Sequence, residues 1–161
     1  MSSQSFKVEA EWGVLAFCVW QAADLLTAWR NSPFDHLGWL ALGFWLVPTL
    51  VSAWRFRARL PKTRRSVYFA WLGLAVCLAG ILTDMHFLKH GALALACAAI
   101  TPQFRFGSLW LVLALAWMPA LGWLLAGLPA FGVAGIRLTL AALAALIGMV
   151  QSQHNFQRAL E

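Results

Sequence analysis

Charge is scarce in this chain: 11% of its residues are Asp, Glu, Lys or Arg, and the acidic ones number six. A water-soluble domain carries roughly a quarter charged residues. Too few polar side chains remain to solvate a globule, and lipid is the expected solvent. Cysteine is scarce as well. Cys18, Cys77 and Cys97 lie inside apolar stretches with no CxxC pair, so they read as small hydrophobes that do not report a redox compartment. Missing altogether are a GxSxG elbow and a glycine-rich phosphate loop ahead of a helix, and no serine has a histidine and an acid beside it in a pattern that suggests a triad. Those absences exclude a serine hydrolase of that type, an NTPase and a dehydrogenase. The opening 1–11 also lacks the basic start and small-residue cleavage site of a secretory signal, so the first helix is expected to be retained.

What the chain does have is apolar sequence, 61% of the total. Six helices are expected, over 12–29, 37–54, 67–84, 87–101, 108–128 (with Pro119 as a kink) and 133–151. Together they make an all-α, polytopic transmembrane helix bundle forming a single domain over 1–161. Crossing 30 Å of hydrocarbon takes about 20 residues, so 87–101 is a short span. Six of the twelve basic residues fall in one loop, 55–66: Arg55, Arg57, Arg59, Lys62, Arg64 and Arg65. With that loop inside, Lys7, Arg105 and Arg158 are also inside, while Arg30, Lys89 and Arg137 lie outside, in keeping with the positive-inside rule. Both termini are then cytoplasmic, in a bacterial-type inner membrane. The basic run meets anionic headgroups rather than nucleic acid. Trp12, Trp29, Trp39, Trp54, Trp71, Trp110 and Trp123 flank the segments as interface anchors do.

Small residues mark the packing faces, Gly73, Cys77 and Gly80 on one helix and Ala134, Arg137, Ala141, Ala145 and Gly148 on another. On this topology Asp24, Arg30, Asp35, His36, Asp84, His86, Lys89, His90 and Arg137 collect at the outer face. Asp24 and Arg137 sit at membrane depth, where an unpaired charge costs several kcal/mol. Arg137 is therefore expected to pair with Asp84 or Asp24. His86 and His90, four apart, share a helix side and are weak candidates for a metal or haem. Phe87 stands where a zinc protease has its glutamate, and a third ligand would have to come from His36, Asp35 or Asp84. No catalytic residue, metal or cofactor is assigned.

The segment Ala28-Trp29-Arg30-Asn31-Ser32-Pro33-Phe34-Asp35-His36-Leu37-Gly38-Trp39 resembles the first outer loop of exosortases and archaeosortases. The run Trp117-Met118-Pro119-Ala120-Leu121 with Leu128-Pro129, and the alanine-rich stretch 136–149, are similar to that family's proline-marked middle helices. The resemblance spans most of this chain but only the N-terminal part of the family's fold. It implies an inner-membrane protein related to enzymes that cleave and transfer C-terminal sorting tails, through a cysteine in an A-C-S-G-like motif with an arginine and a histidine. This chain departs at the nucleophile. Its cysteines lie in Phe17-Cys18-Val19, Val76-Cys77-Leu78 and Ala96-Cys97-Ala98, without a flanking Ser-Gly.

The expected function follows from that departure: a shortened, non-catalytic relative acting as a binding or assembly component, its partners being the bilayer and other membrane proteins or a partner transmembrane helix. The rivals are a divergent sorting peptidase, a haem- or metal-bearing respiratory subunit, and a small transporter using Asp24 and Arg137. No inverted repeat speaks for the last.

Overall fold

The computed structural model describes residues 3–56, 64–101 and 107–158, and all regular structure among them is helical. Eight α-helices are present in this set: α1 (Ser3–Gln21), α2 (Asp24–Asn31), α3 (Gly38–Phe56), α4 (Arg64–Leu82), α5 (His86–Ile100), α6 (Gly107–Val112), α7 (Pro119–Leu124) and α8 (Ala130–Arg158). A 3₁₀ turn, Leu113–Ala116, follows α6. Arg57, Arg59, Lys62 and Arg105 of the expected cytoplasmic set lie outside the described residues. By length and composition, one described helix is long and apolar enough to cross a membrane, over Ala130–Gln151. The apolar stretches Gly38–Val51, Ser66–Leu82, His86–Ile100 and Gly107–Ala116 are shorter.

Two compact units account for the contacts, one built from α1, α4 and α5 and the other from α2, α3, α6, α7 and α8. In the first, α4 and α5 form an antiparallel hairpin whose backbones approach along small residues. A Cβ on Gly73 would stand 3.2 Å from the Ala92 carbonyl, and one on Gly80 3.0 Å from the Lys89 nitrogen. The stripe Ala70, Gly73, Cys77 and Gly80 is the buried face of α4, so the face read from small-residue spacing is the packing face. Each helix contributes one buried thiol: Cys18, Cys77 and Cys97 are 0%, 0% and 4% exposed, all free. At one end the Ser66 hydroxyl lies between the Glu11 carboxylate and the Ala99 carbonyl, tying the three helices together.

The α4–α5 turn is made by Asp84, whose φ of 53° places it in the left-handed region. The Met85 N–H then returns to the Gly80 carbonyl (3.0 Å) and the Asp84 N–H to that of Ile81 (3.4 Å). This double closure satisfies carbonyls that the helix end leaves open. Asp suits the position because it tolerates the left-handed region better than most side chains.

In the second unit the long helix α8 packs along α3. Its buried stripe is Val133, Arg137, Ala141, Ala144, Ala145 and Gly148. Gly148 sits against Pro48, inside α3, where an added Cβ would stand 3.0 Å from the proline ring.

Two expected helices are divided. The segment 12–29 breaks after Gln21, and its two parts belong to different units. The break lies at Ala22 and Ala23, between polar Gln21 and Asp24, and the short α2 buries only Leu25 and Trp29 at i, i+4 spacing. The segment 108–128 is not merely kinked but interrupted at Trp117 and Met118. Pro119 has no N–H to give the Leu115 carbonyl. That carbonyl takes the Met118 N–H at 3.2 Å instead, and Trp117 tightens onto Ala114. The helix narrows to 3₁₀ geometry, stops, and restarts with Pro119 in its first turn, the position proline favours. At the other end of the chain, α8 outruns its expected bounds of 133–151 on both sides.

Candidate functional site

An interrupted helix leaves carbonyls without their usual i+4 donors, and in an apolar surrounding these must be answered internally. Here they are answered by side chains from elsewhere in the second unit. The Trp117 carbonyl accepts from the indole N–H of Trp29 at 3.0 Å. The Ala116 carbonyl accepts from Arg137 Nη1 at 2.7 Å, and that of Met118 accepts from the same nitrogen at 3.4 Å. Arg137 Nη2 donates to Asp35 Oδ1 at 2.5 Å and to the Phe34 carbonyl at 3.4 Å. The guanidinium thus stands among four oxygens, three of them backbone.

Burial around this junction is close to complete. The Arg137 side chain is 0% exposed and that of Asp35 8%. Among the described residues two buried donors here have no acceptor, Arg137 Nε and Trp117 Nε1. Two glycines permit the approach. A Cβ on Gly38 would overlap the Trp29 indole, and one on Gly122 of α7 would stand 2.7 Å from Asp35 Oδ1. Asp35 itself is set by a tight turn in which its N–H donates to the Ser32 carbonyl (3.1 Å) and its carbonyl accepts from the Gly38 N–H (2.7 Å).

Beside the ion pair lies a tryptophan stack. Trp45 of α3 and Trp110 of α6 stack with centroids 3.9 Å apart and planes 11° from parallel. Each indole N–H donates to the other residue's carbonyl, at 2.8 and 3.3 Å. Trp117 adds a tilted contact to Trp45 at 5.7 Å. Trp29 and Trp110 are therefore not interface anchors. The Trp29 N–H turns inward to a carbonyl of the broken helix and that of Trp110 to the Trp45 carbonyl of α3, which corrects the expectation for these two residues. Trp12, Trp39, Trp71 and Trp123 do face outward, and the Trp54 side chain lies outside what is described.

The nine ionisable residues singled out from the sequence divide between the units. Asp24, Arg30, Asp35, His36 and Arg137 belong to the second, and Asp84, His86, Lys89 and His90 to the first. Arg137 pairs with Asp35, not with Asp24 or Asp84 as expected. The Asp35 turn is carried onto the broken helix by Gly122, whereas Asp84 belongs to the other unit, 3.4 Å from Lys89 and largely exposed. Asp24 opens α2, half-buried, and Arg30 is exposed in that helix's last turn. His36 is exposed, and its Nδ1–H donates to the Pro33 carbonyl at 2.8 Å. His86 is exposed while His90, a turn further along α5, is buried. Among the described residues no three His, Cys, Asp or Glu side chains converge as metal ligands.

Missed by sequence reading were the partnership of Asp35 and the inward roles of Trp29, Trp45, Trp110 and Trp117. The available signal was Pro119 inside an apolar run, which announces freed carbonyls without naming their donors. A shallow groove, lined by Gly132, Gly135, Ile136, Thr139 and Leu140, runs along α8. Compared with protein-family models, with curated proteins and with solved structures, the chain matches none.

Proposed function

We propose that this chain is a small multi-pass protein of a bacterial-type inner membrane, with loop 55–66 and both termini cytoplasmic, acting as a non-catalytic binding or assembly component of a membrane complex. In the same reading it is a shortened exosortase-like protein, on the resemblance carried by residues 28–39. The observation that carries the non-catalytic part is the sealing of Arg137. Its terminal nitrogens are engaged by backbone carbonyls and by Asp35, so no donor on them remains free for a substrate. The membrane part is supported by the large apolar side chains on the surface. Leu82, Phe131, Trp123 and Trp20 are 87%, 81%, 80% and 74% exposed. Water penalises so many large apolar side chains on a surface, and lipid does not.

The test is cysteine-accessibility labelling in intact cells, with single cysteines placed at positions 60 and 86 of a cysteine-free variant, followed by co-purification in mild detergent. Labelling of position 86 but not 60 from the periplasm, together with a stoichiometric membrane partner, is the expected result. Periplasmic labelling at 60 would overturn the topology. Loss of sorting-tail processing in the His86→Ala or His90→Ala variants, with the protein still folded, would overturn the non-catalytic reading.

A further inference from the structure

The oxygens that hold Arg137 do not owe their positions to it. Asp35 and Phe34 are placed by the Ser32–Gly38 turn, which closes through its own backbone hydrogen bonds and is seated on α7 through Gly122. The Ala116 carbonyl is freed by the break at Pro119, and that of Met118 is held as the cap of α7, where it accepts the Leu121 N–H at 3.2 Å. Between them, the Trp117 carbonyl is pinned by Trp29, whose indole is seated over Gly38. Each half of the cage is thus fixed by contacts that omit the arginine.

The hydrogen-bond pattern also reads only the far end of that side chain. Nη1 and Nη2 serve two oxygens each, at 2.7, 3.4, 2.5 and 3.4 Å, whereas Nε has no acceptor among the described residues. What the cage recognises is a planar C(NH₂)₂ fork bearing one positive charge. An ammonium offers three donors diverging from one point and cannot match four oxygens arranged about a plane.

We propose that Ala116 O, Met118 O, Phe34 O and Asp35 Oδ1 form a preorganised guanidinium-binding site that Arg137 fills in cis, and that accepts a free guanidinium-type cation once the Arg137 side chain is withdrawn. The alkyl stem contributes tethering, not recognition. In the intact chain the site is self-occupied, so a guanidinium compound competes for it only against a ligand held permanently at hand.

The test uses the full chain purified in detergent, as wild type, Arg137→Ala and Arg137→Ala/Asp35→Asn, melted with millimolar guanidinium or methylguanidinium chloride against equal sodium chloride and equal urea. The single variant should gain about 3 °C, saturably, with either guanidinium salt, and nothing from sodium or urea. Wild type and the double variant should not respond. Absence of a gain in Arg137→Ala, an equal gain with sodium chloride, or a gain retained in the double variant would overturn the proposal. Should Arg137→Ala fail to purify, the same salts are added during extraction. Recovery of folded protein with methylguanidinium but not with sodium supports the cage, and failure with both overturns it.

Discussion

The unit of α1, α4 and α5 consists of three helices unbroken within their bounds, brought close by Gly73, Gly80 and the alanines of α5. The unit of α2, α3 and α6 to α8 contains a helix that stops in mid-course and is held by an arginine, an aspartate and four tryptophans. The first gains its stability from many equivalent close contacts, any one of which can yield a little. The second concentrates it at a junction where the Trp29 indole and the terminal nitrogens of Arg137 answer named carbonyls and one carboxylate. A small-residue interface degrades gradually when disturbed, whereas a polar junction in an apolar core fails when one partner is lost, because the other is left buried and uncompensated.

The largest effect should therefore come from Arg137→Met. It takes the arginine's donors from the Asp35 carboxylate and from the Ala116 and Phe34 carbonyls, and a loss of about 3–5 kcal/mol is expected in a reversible denaturant titration followed by tryptophan fluorescence in bicelles. A loss below about 1 kcal/mol would erase the contrast between the units. Next comes Gly122→Ala, whose Cβ meets Asp35 Oδ1 at 2.7 Å and pushes the turn off α7. The same titration should show a loss of about 2 kcal/mol. Gly73→Ala gives the matching disturbance of the first unit, with neighbours at 3.2–3.4 Å. Overpacking there is offset by alanine's better helix propensity, so the net loss should be about 1 kcal/mol or less. A loss for Gly73→Ala as large as that for Gly122→Ala would show that the small-residue interface is equally unforgiving. Trp123→Ala, on an 80% exposed side chain, should stay within about 0.5 kcal/mol of wild type.

Those differences track what could be read in advance. The all-α class followed from composition and from the length of the apolar runs, and the faces carrying Gly73, Cys77 and Gly80, or Arg137, Ala141 and Ala145, followed from helical spacing. These are local signals, repeated every three or four residues. The division of 108–128 was marked by Pro119 only as a kink, since hydropathy does not register whether the carbonyls before a proline find other donors. The Asp35–Arg137 pair joins residues 102 apart in sequence, and three acidic residues lay within reach of a guess. The choice was made by Gly122, whose missing side chain lets one turn approach α7, a feature with no periodic trace. The tryptophans misled for a related reason: an indole anchoring at a headgroup and one answering a backbone carbonyl both sit near the ends of apolar segments.

The most direct test of the polar junction is a double-mutant cycle on Asp35→Ala and Arg137→Ala, measured by denaturant unfolding in bicelles. A coupling energy of about 3 kcal/mol or more, with the double variant no less stable than Arg137→Ala alone, is the predicted result. Losses that add within about 0.5 kcal/mol would mean that the two side chains do not act on each other, and the junction would not be what closes the broken helix.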